Sequence, residues 1–83
     1  MRKLIILGAF LAASPALALD FSTDTVLGTS MQEVKGTLAN MGYEVRKSEM
    51  EDGMIEAYFI KGSEKGDVYV NTQTGKVERI KMR

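Results

Sequence analysis

The chain contains no cysteine and no histidine among its 83 residues. Without cysteine there is no thiol nucleophile, no disulfide and no residue to carry a lipoprotein's acyl anchor. Without histidine the chain lacks a common metal ligand and the side chain whose ordinary titration falls near neutral pH. Ser22, Ser30, Ser48 and Ser63 are the remaining hydroxyls of that type outside the N-terminal segment. A serine nucleophile needs a base, however, and nothing in the pattern points to a buried Ser-Lys pair. A phosphate-binding G-x-G-x-x-G run is also missing; Gly42, Gly53, Gly62, Gly66 and Gly75 are spaced as turn formers. These gaps lead to the expectation of a non-enzyme without a cofactor. Charge of one sign is lacking too: 11 basic residues balance 11 acidic ones. The signs are interspersed, so there is no electrostatic case for nucleic acid or for an anionic membrane surface.

Only one long apolar stretch occurs, over residues 4–13, and it falls well short of the ~20 residues needed to span a bilayer. It follows Arg2 and Lys3 and precedes Ser14-Pro15 and the small-residue site Ala16-Leu17-Ala18. Positive charge, apolar stretch and A-x-A site are the three parts of a cleavable secretory signal peptide. The expectation is therefore cleavage between Ala18 and Leu19, a periplasmic or secreted bacterial protein, and no stable membrane anchor afterwards. Removing 18 of 83 residues leaves 65, enough for one domain with a thin core. Loss of Arg2 and Lys3 leaves 9 basic against 11 acidic residues, a formal net charge of −2. With no disulfide, stability has to come from packing, tight turns or self-association.

Residues 19–29 show no sustained period and read as an extended, partly mobile lead-in. Ser30-Met31-Gln32-Glu33 then matches the S-x-x-E capping box, in which the serine oxygen and the glutamate carboxylate satisfy backbone donors at a helix start. Met31, Val34, Leu38 and Met41 recur on one helical face, and Gly42 supplies the stop. Gly36 inside this helix costs about 1 kcal/mol relative to Ala, so the helix should depend on packing. Beyond Gly42 the period changes to that of strands: residues 43–50, 54–60, 67–71 and 76–82. The first two are joined by Glu51-Asp52-Gly53, where Asp-Gly suits a type I′ hairpin turn. Residues 61–66 read as a longer polar connection, and Thr72-Gln73-Thr74-Gly75 as a tight turn with Gly75 at positive φ. The predicted fold is α+β: one helix, at the start of the domain, packed on one face of a three- to four-stranded antiparallel meander. The organisation is a signal peptide at 1–18, a lead-in at 19–29 and a domain at 30–83.

Alternation assigns faces. Ile55, Ala57, Phe59, Val68 and Val70 belong to the helix-covered side, which leaves Glu56, Tyr58 and Tyr69 on the open side as candidate partner-binding residues. A two-residue Asp52-Gly53 loop would set Glu49 opposite Glu56, like charge against like charge, so a bulge or longer loop is expected there. The last strand does not alternate cleanly, because Val77 and Ile80 have opposite parity, and its facing stays open.

Several of these runs carry a family resemblance. Gly42-Tyr43-Glu44-Val45 after a helix, a strand with Glu56-Ala57-Tyr58, then Asp67-Val68-Tyr69-Val70-Asn71 and Thr74-Gly75-Lys76-Val77 resemble the PepSY domain and its V-x-V-(D/N)-x-x-T-G-x-V ending. The resemblance spans residues 31–81, with Asn71 where Asp is usual and polar Ser48 where an apolar residue is frequent. It implies a non-catalytic module of the kind found in propeptides of secreted metallopeptidases and as free-standing periplasmic proteins. Its partner would be a peptidase or another envelope protein, engaged through the open sheet face or a strand edge. The alternative is a small-ligand or metal carrier, taking calcium on Glu49, Glu51, Asp52 and Glu56 or copper(I) on Met31, Met41, Met50, Met54 and Met82. Against it, the carboxylates lack the spacing of a calcium loop, no M-x-M or M-x-x-M run occurs, and methionine is an adaptable core filler.

Overall fold

A computed structural model describes residues 19–83. The signal-peptide reading of residues 1–18, including Ala18 of the cleavage junction, lies outside the described residues. Helix α1 runs Met31–Asn40, followed by strands β1 (Glu44–Glu51), β2 (Met54–Lys61), β3 (Glu64–Asn71) and β4 (Val77–Met82). The strands form one antiparallel sheet in the order β1-β2-β3-β4. The fold is thus the predicted α+β meander with four strands.

The helix is fixed at both ends by local chemistry. Ser30 is extended (φ −128°, ψ 159°) and its Oγ accepts from the Glu33 N–H at 3.1 Å. The Glu33 carboxylate reaches one residue further back than a capping box would place it, accepting from the Thr29 N–H at 2.9 Å. At the other end Gly42 has φ 92°, the Tyr43 N–H donates to the Leu38 carbonyl and the Gly42 N–H to the Ala39 carbonyl. This is the Schellman pairing, which satisfies carbonyls that the last turn leaves without helical partners. Val34 and Leu38 are fully buried, and Met31 and Met41 pack against the same core.

On the sheet Ile55, Ala57, Phe59, Val68 and Val70 are 0–1% exposed, the set that alternation assigned to the covered side. Helix α1 lies over β1 and β2, so a single helix leaves the β3–β4 half of that side open. The lead-in fills it. Its backbone pairs with the start of β4, through Asp24 N–H to the Val77 carbonyl (2.9 Å), Val77 N–H to the Thr25 carbonyl (2.8 Å) and a bridge between Val26 and Lys76. Phe21 and Leu27 are buried, and the Phe21, Tyr43 and Phe59 rings meet edge to face with centroids 5.3–5.4 Å apart. The expectation of an extended, partly mobile lead-in missed these two core residues, because a short segment with a few irregularly spaced apolar anchors has no period to detect. Asp20 ties the strap down further: its N–H donates to the Tyr43 hydroxyl at 2.8 Å and its carboxylate pairs with Lys61 at 2.8 Å.

Two details of the sheet differ from the sequence-based expectation, and a third settles the facing it had left open. The first hairpin closes through a two-residue turn, with Asp52 and Gly53 at φ 53° and 77°, and Glu49 does face Glu56. The bulge lies at Arg46 near the other end of β1, where the register shifts between Val45 and Lys47. The connection read as residues 61–66 shrinks to Gly62 and Ser63, since Lys61 pairs with Glu64 and Ile60 with Lys65. Gly66 is therefore inside β3 and opposite Phe59, where a Cβ would stand 2.8 Å from the Phe59 ring. Absence of a side chain there lets the ring approach the β3 backbone. In β4 the register shifts between Arg79 and Val77, which puts Glu78 in a bulge. That extra residue brings Val77 and Ile80 onto the same covered face, opposite Val70 and Val68, and resolves their conflicting parity.

The β3–β4 turn shows how the family-like ending works. The Asn71 Oδ1 accepts from Gln73 N–H (2.7 Å) and Thr74 N–H (3.1 Å), and Gly75, at φ 77°, donates its N–H to the Asn71 carbonyl at 2.8 Å. An aspartate would accept the same two bonds. Asn71 adds a donor, its Nδ2, which bonds Glu78 at 3.2 Å.

A polar open face as candidate functional site

The side of the sheet away from α1 carries the alternate residues of every strand, and the register sets them in rows. One row runs Glu49, Glu56, Tyr69, Arg79; the next runs Lys47, Tyr58, Asp67, Lys81. Glu56, Tyr58 and Tyr69 thus lie on the open face as alternation requires, with Tyr69 directly opposite Glu56 and Tyr58 directly opposite Asp67.

Each tyrosine is covered by an arginine. The Arg79 guanidinium carbon sits 4.2 Å from the Tyr69 ring centroid, and that of Arg83 sits 4.0 Å from the Tyr58 centroid. Such contacts suit a guanidinium, which is planar and weakly hydrated. The Tyr69 hydroxyl donates to the Glu56 carboxylate at 3.1 Å. Arg83 also grips Asp67 with two parallel bonds, Nε to Oδ2 at 3.0 Å and Nη2 to Oδ1 at 3.1 Å. Asp67 is the one buried charged residue among those described, at 6% exposure. The forked pairing is what makes its burial tolerable. It also pushes the Arg83 pKa further above its ordinary value.

Between these groups lies a depression of about 50 Å³ lined by Lys47, Glu49, Glu56, Tyr58, Asp67 and Arg83. Toward the first hairpin turn, Glu51 has its pKa raised above the usual 4.5, first through a hydrogen bond with Glu56 and next through the charge of that carboxylate. Sequence reading missed Asp67, Arg79 and Arg83 as members of this face. Asp67 shares parity with Tyr69, a legible signal; Arg79 could be placed only with the β4 bulge known.

Chemically the face offers aromatic area, hydrogen-bond acceptors and fixed guanidinium groups. Ser30 Oγ is committed to the helix cap. Among the described residues no group of three or more His, Cys, Asp and Glu converges as a metal site, and no helix is long and apolar enough to cross a membrane.

A helix and strap on one side of a four-stranded meander, with a polar face left open, define a small α+β module. The family model described as "Peptidase propeptide and YPEB domain" matches residues 2–81, and the chain belongs to that PepSY family. Domains of this kind are generally non-catalytic and typically occur in secreted or extracellular proteins. No curated protein and no solved structure matches the chain.

Proposed function

We propose that this chain is an exported, non-catalytic binding module that restrains or regulates a peptidase or another protein of the bacterial envelope, and that the open sheet face is its contact surface. The observation that carries this reading is the pair of arginine-covered tyrosines on an otherwise uncovered face, with a depression beside Tyr58. Rings held in place by arginine have little rotamer freedom left to lose, and Tyr and Arg are the residue types that most often dominate binding energy. Tyr58, Tyr69 and Glu56 are the contact residues in this reading. Membership of a peptidase-propeptide family supports a protein partner.

The test is capture from periplasmic extract, with the captured proteins identified by mass spectrometry. The parent should retain a peptidase or another envelope protein, and the Tyr58→Ser/Tyr69→Ser double variant should lose it, each change costing about 1 to 2 kcal/mol of affinity. Equal capture by both chains sinks the role of the tyrosines. Export is tested separately: secreted material should have the intact mass of a chain beginning at Leu19, and retention of Met1 in the mature fraction overturns it.

A further inference from the structure

The two edges of the sheet differ. The outer edge of β4 is occupied at its start by the strap, through Val26 and Lys76 and the bonds of Asp24 and Thr25 with Val77. Its open-face residues, Arg79 and Lys81, carry charge of one sign. The outer edge of β1 has no partner among the described residues. At the middle of its open face, between Glu44 and Glu51 at the two ends, Lys47 and Glu49 have opposite signs and stand symmetrically about Ser48. Edge strands usually use charge to repel further strands. Mixed charge in a symmetric arrangement does the opposite when the incoming strand is a copy of itself.

From this we infer that β1 pairs antiparallel with β1 of a second copy, with Ser48 on the two-fold axis. Parity and charge select that register. Directly opposed residues of antiparallel strands point to the same face, so a two-fold axis normal to the sheet must pass through a residue position. An axis at Lys47 sets lysine against lysine, and one at Glu49 sets glutamate against glutamate. The axis at Ser48 sets Lys47 opposite Glu49 of the second copy and the reverse, with Cβ atoms roughly 4.5 to 5.5 Å apart. Within one chain Glu49 faces Glu56, and none of the salt bridges among the described residues involves it. Lys47 of the second copy supplies the missing cation.

The bulge at Arg46 ends the ladder, so the contact is short and the dimer weak and sensitive to salt. It joins the two open faces into one continuous surface with two Glu56-Tyr58-Tyr69 clusters. The inference does not depend on which partner that surface takes.

Sedimentation equilibrium of the purified chain over a wide concentration range tests it without any partner. The parent should self-associate to a dimer, more weakly as salt is raised. Lys47→Glu and Glu49→Lys should each weaken dimerisation by about tenfold or more, since each turns two attractive cross-strand pairs into repulsive ones. An equimolar mixture of the two variants should restore association, because opposite charges then meet at both positions. Both variants should keep the parent's circular dichroism spectrum, and Tyr58→Ser/Tyr69→Ser should dimerise like the parent. A parent that stays monomeric up to its solubility limit overturns the inference, as does a mixture no better associated than either variant alone.

Discussion

The two faces of this sheet are built on opposite principles. On the covered face β2 and β3 present apolar side chains or none from Ile55 to Phe59 and from Gly66 to Val70, and three rings meet edge to face within a shell closed by α1 and the strap. Order there comes from excluded water and close packing, which depend on volume. On the open face order comes mostly from directional contacts between exposed or half-exposed groups: Arg79 on Tyr69, Arg83 on Tyr58, Tyr69 on Glu56, with the buried Asp67 held by Arg83 as the exception. The exposed contacts fix side chains in place while adding little to stability, since each group gives up water to make them. A face ordered in this way is free to be specialised for recognition, while the other face keeps the chain folded.

That contrast can be broken most forcefully from the covered side. Phe59→Ala should destabilise the domain by about 3 to 5 kcal/mol, as it empties the centre of the ring cluster. Phe21→Ala should come close to it. Chemical denaturation reads both, and a Phe21 variant as stable as the parent would show that the strap is an appendage and not part of the core. Next in size is Gly75→Val, at about 2 kcal/mol: φ is 77°, and a Cβ would stand 3.2 Å from the Gly28 carbonyl oxygen. An unchanged melting temperature would contradict this turn geometry.

On the open face effects should be smaller. Tyr58→Ser with Tyr69→Ser should lower stability by about 1 kcal/mol, the scale of exposed cation-ring contacts. A loss as large as that of Phe59→Ala would mean that the two faces do not divide the labour as described. Smallest is a pH effect at Glu51. Its folded pKa is raised above the unfolded value, so its favourable contribution is fully present below the unfolded pKa and is lost as pH rises through the raised folded value. Glu51→Gln removes this dependence. Unfolding curves from acid to neutral pH should therefore show the variant gaining on the parent as pH rises, and a difference independent of pH would dismiss the Glu51–Glu56 contact.

The sequence by itself determined the helix and its start and stop, the meander, the covered set on β2 and β3, and the open-face position of Glu56, Tyr58 and Tyr69. These features rest on short-range causes: a side-chain oxygen at a cap, a glycine at positive φ, and the fixed alternation of a strand. Tertiary structure decided the rest. Gly66 reads locally as a turn residue and becomes a strand position because the Phe59 ring needs its empty space. Arg46 and Glu78 become bulges because the core claims Val45, Val77 and Ile80 on one side, a demand that no window of one strand contains. Glu49 and Glu56 face each other because the two-residue Asp52-Gly53 turn and the covered packing of Ile55 and Ala57 together outweigh the repulsion between an exposed and a half-buried carboxylate. Phe21 and Leu27 join the core because one helix is too narrow to cover four strands, a shortage of area that exists only once the sheet has formed.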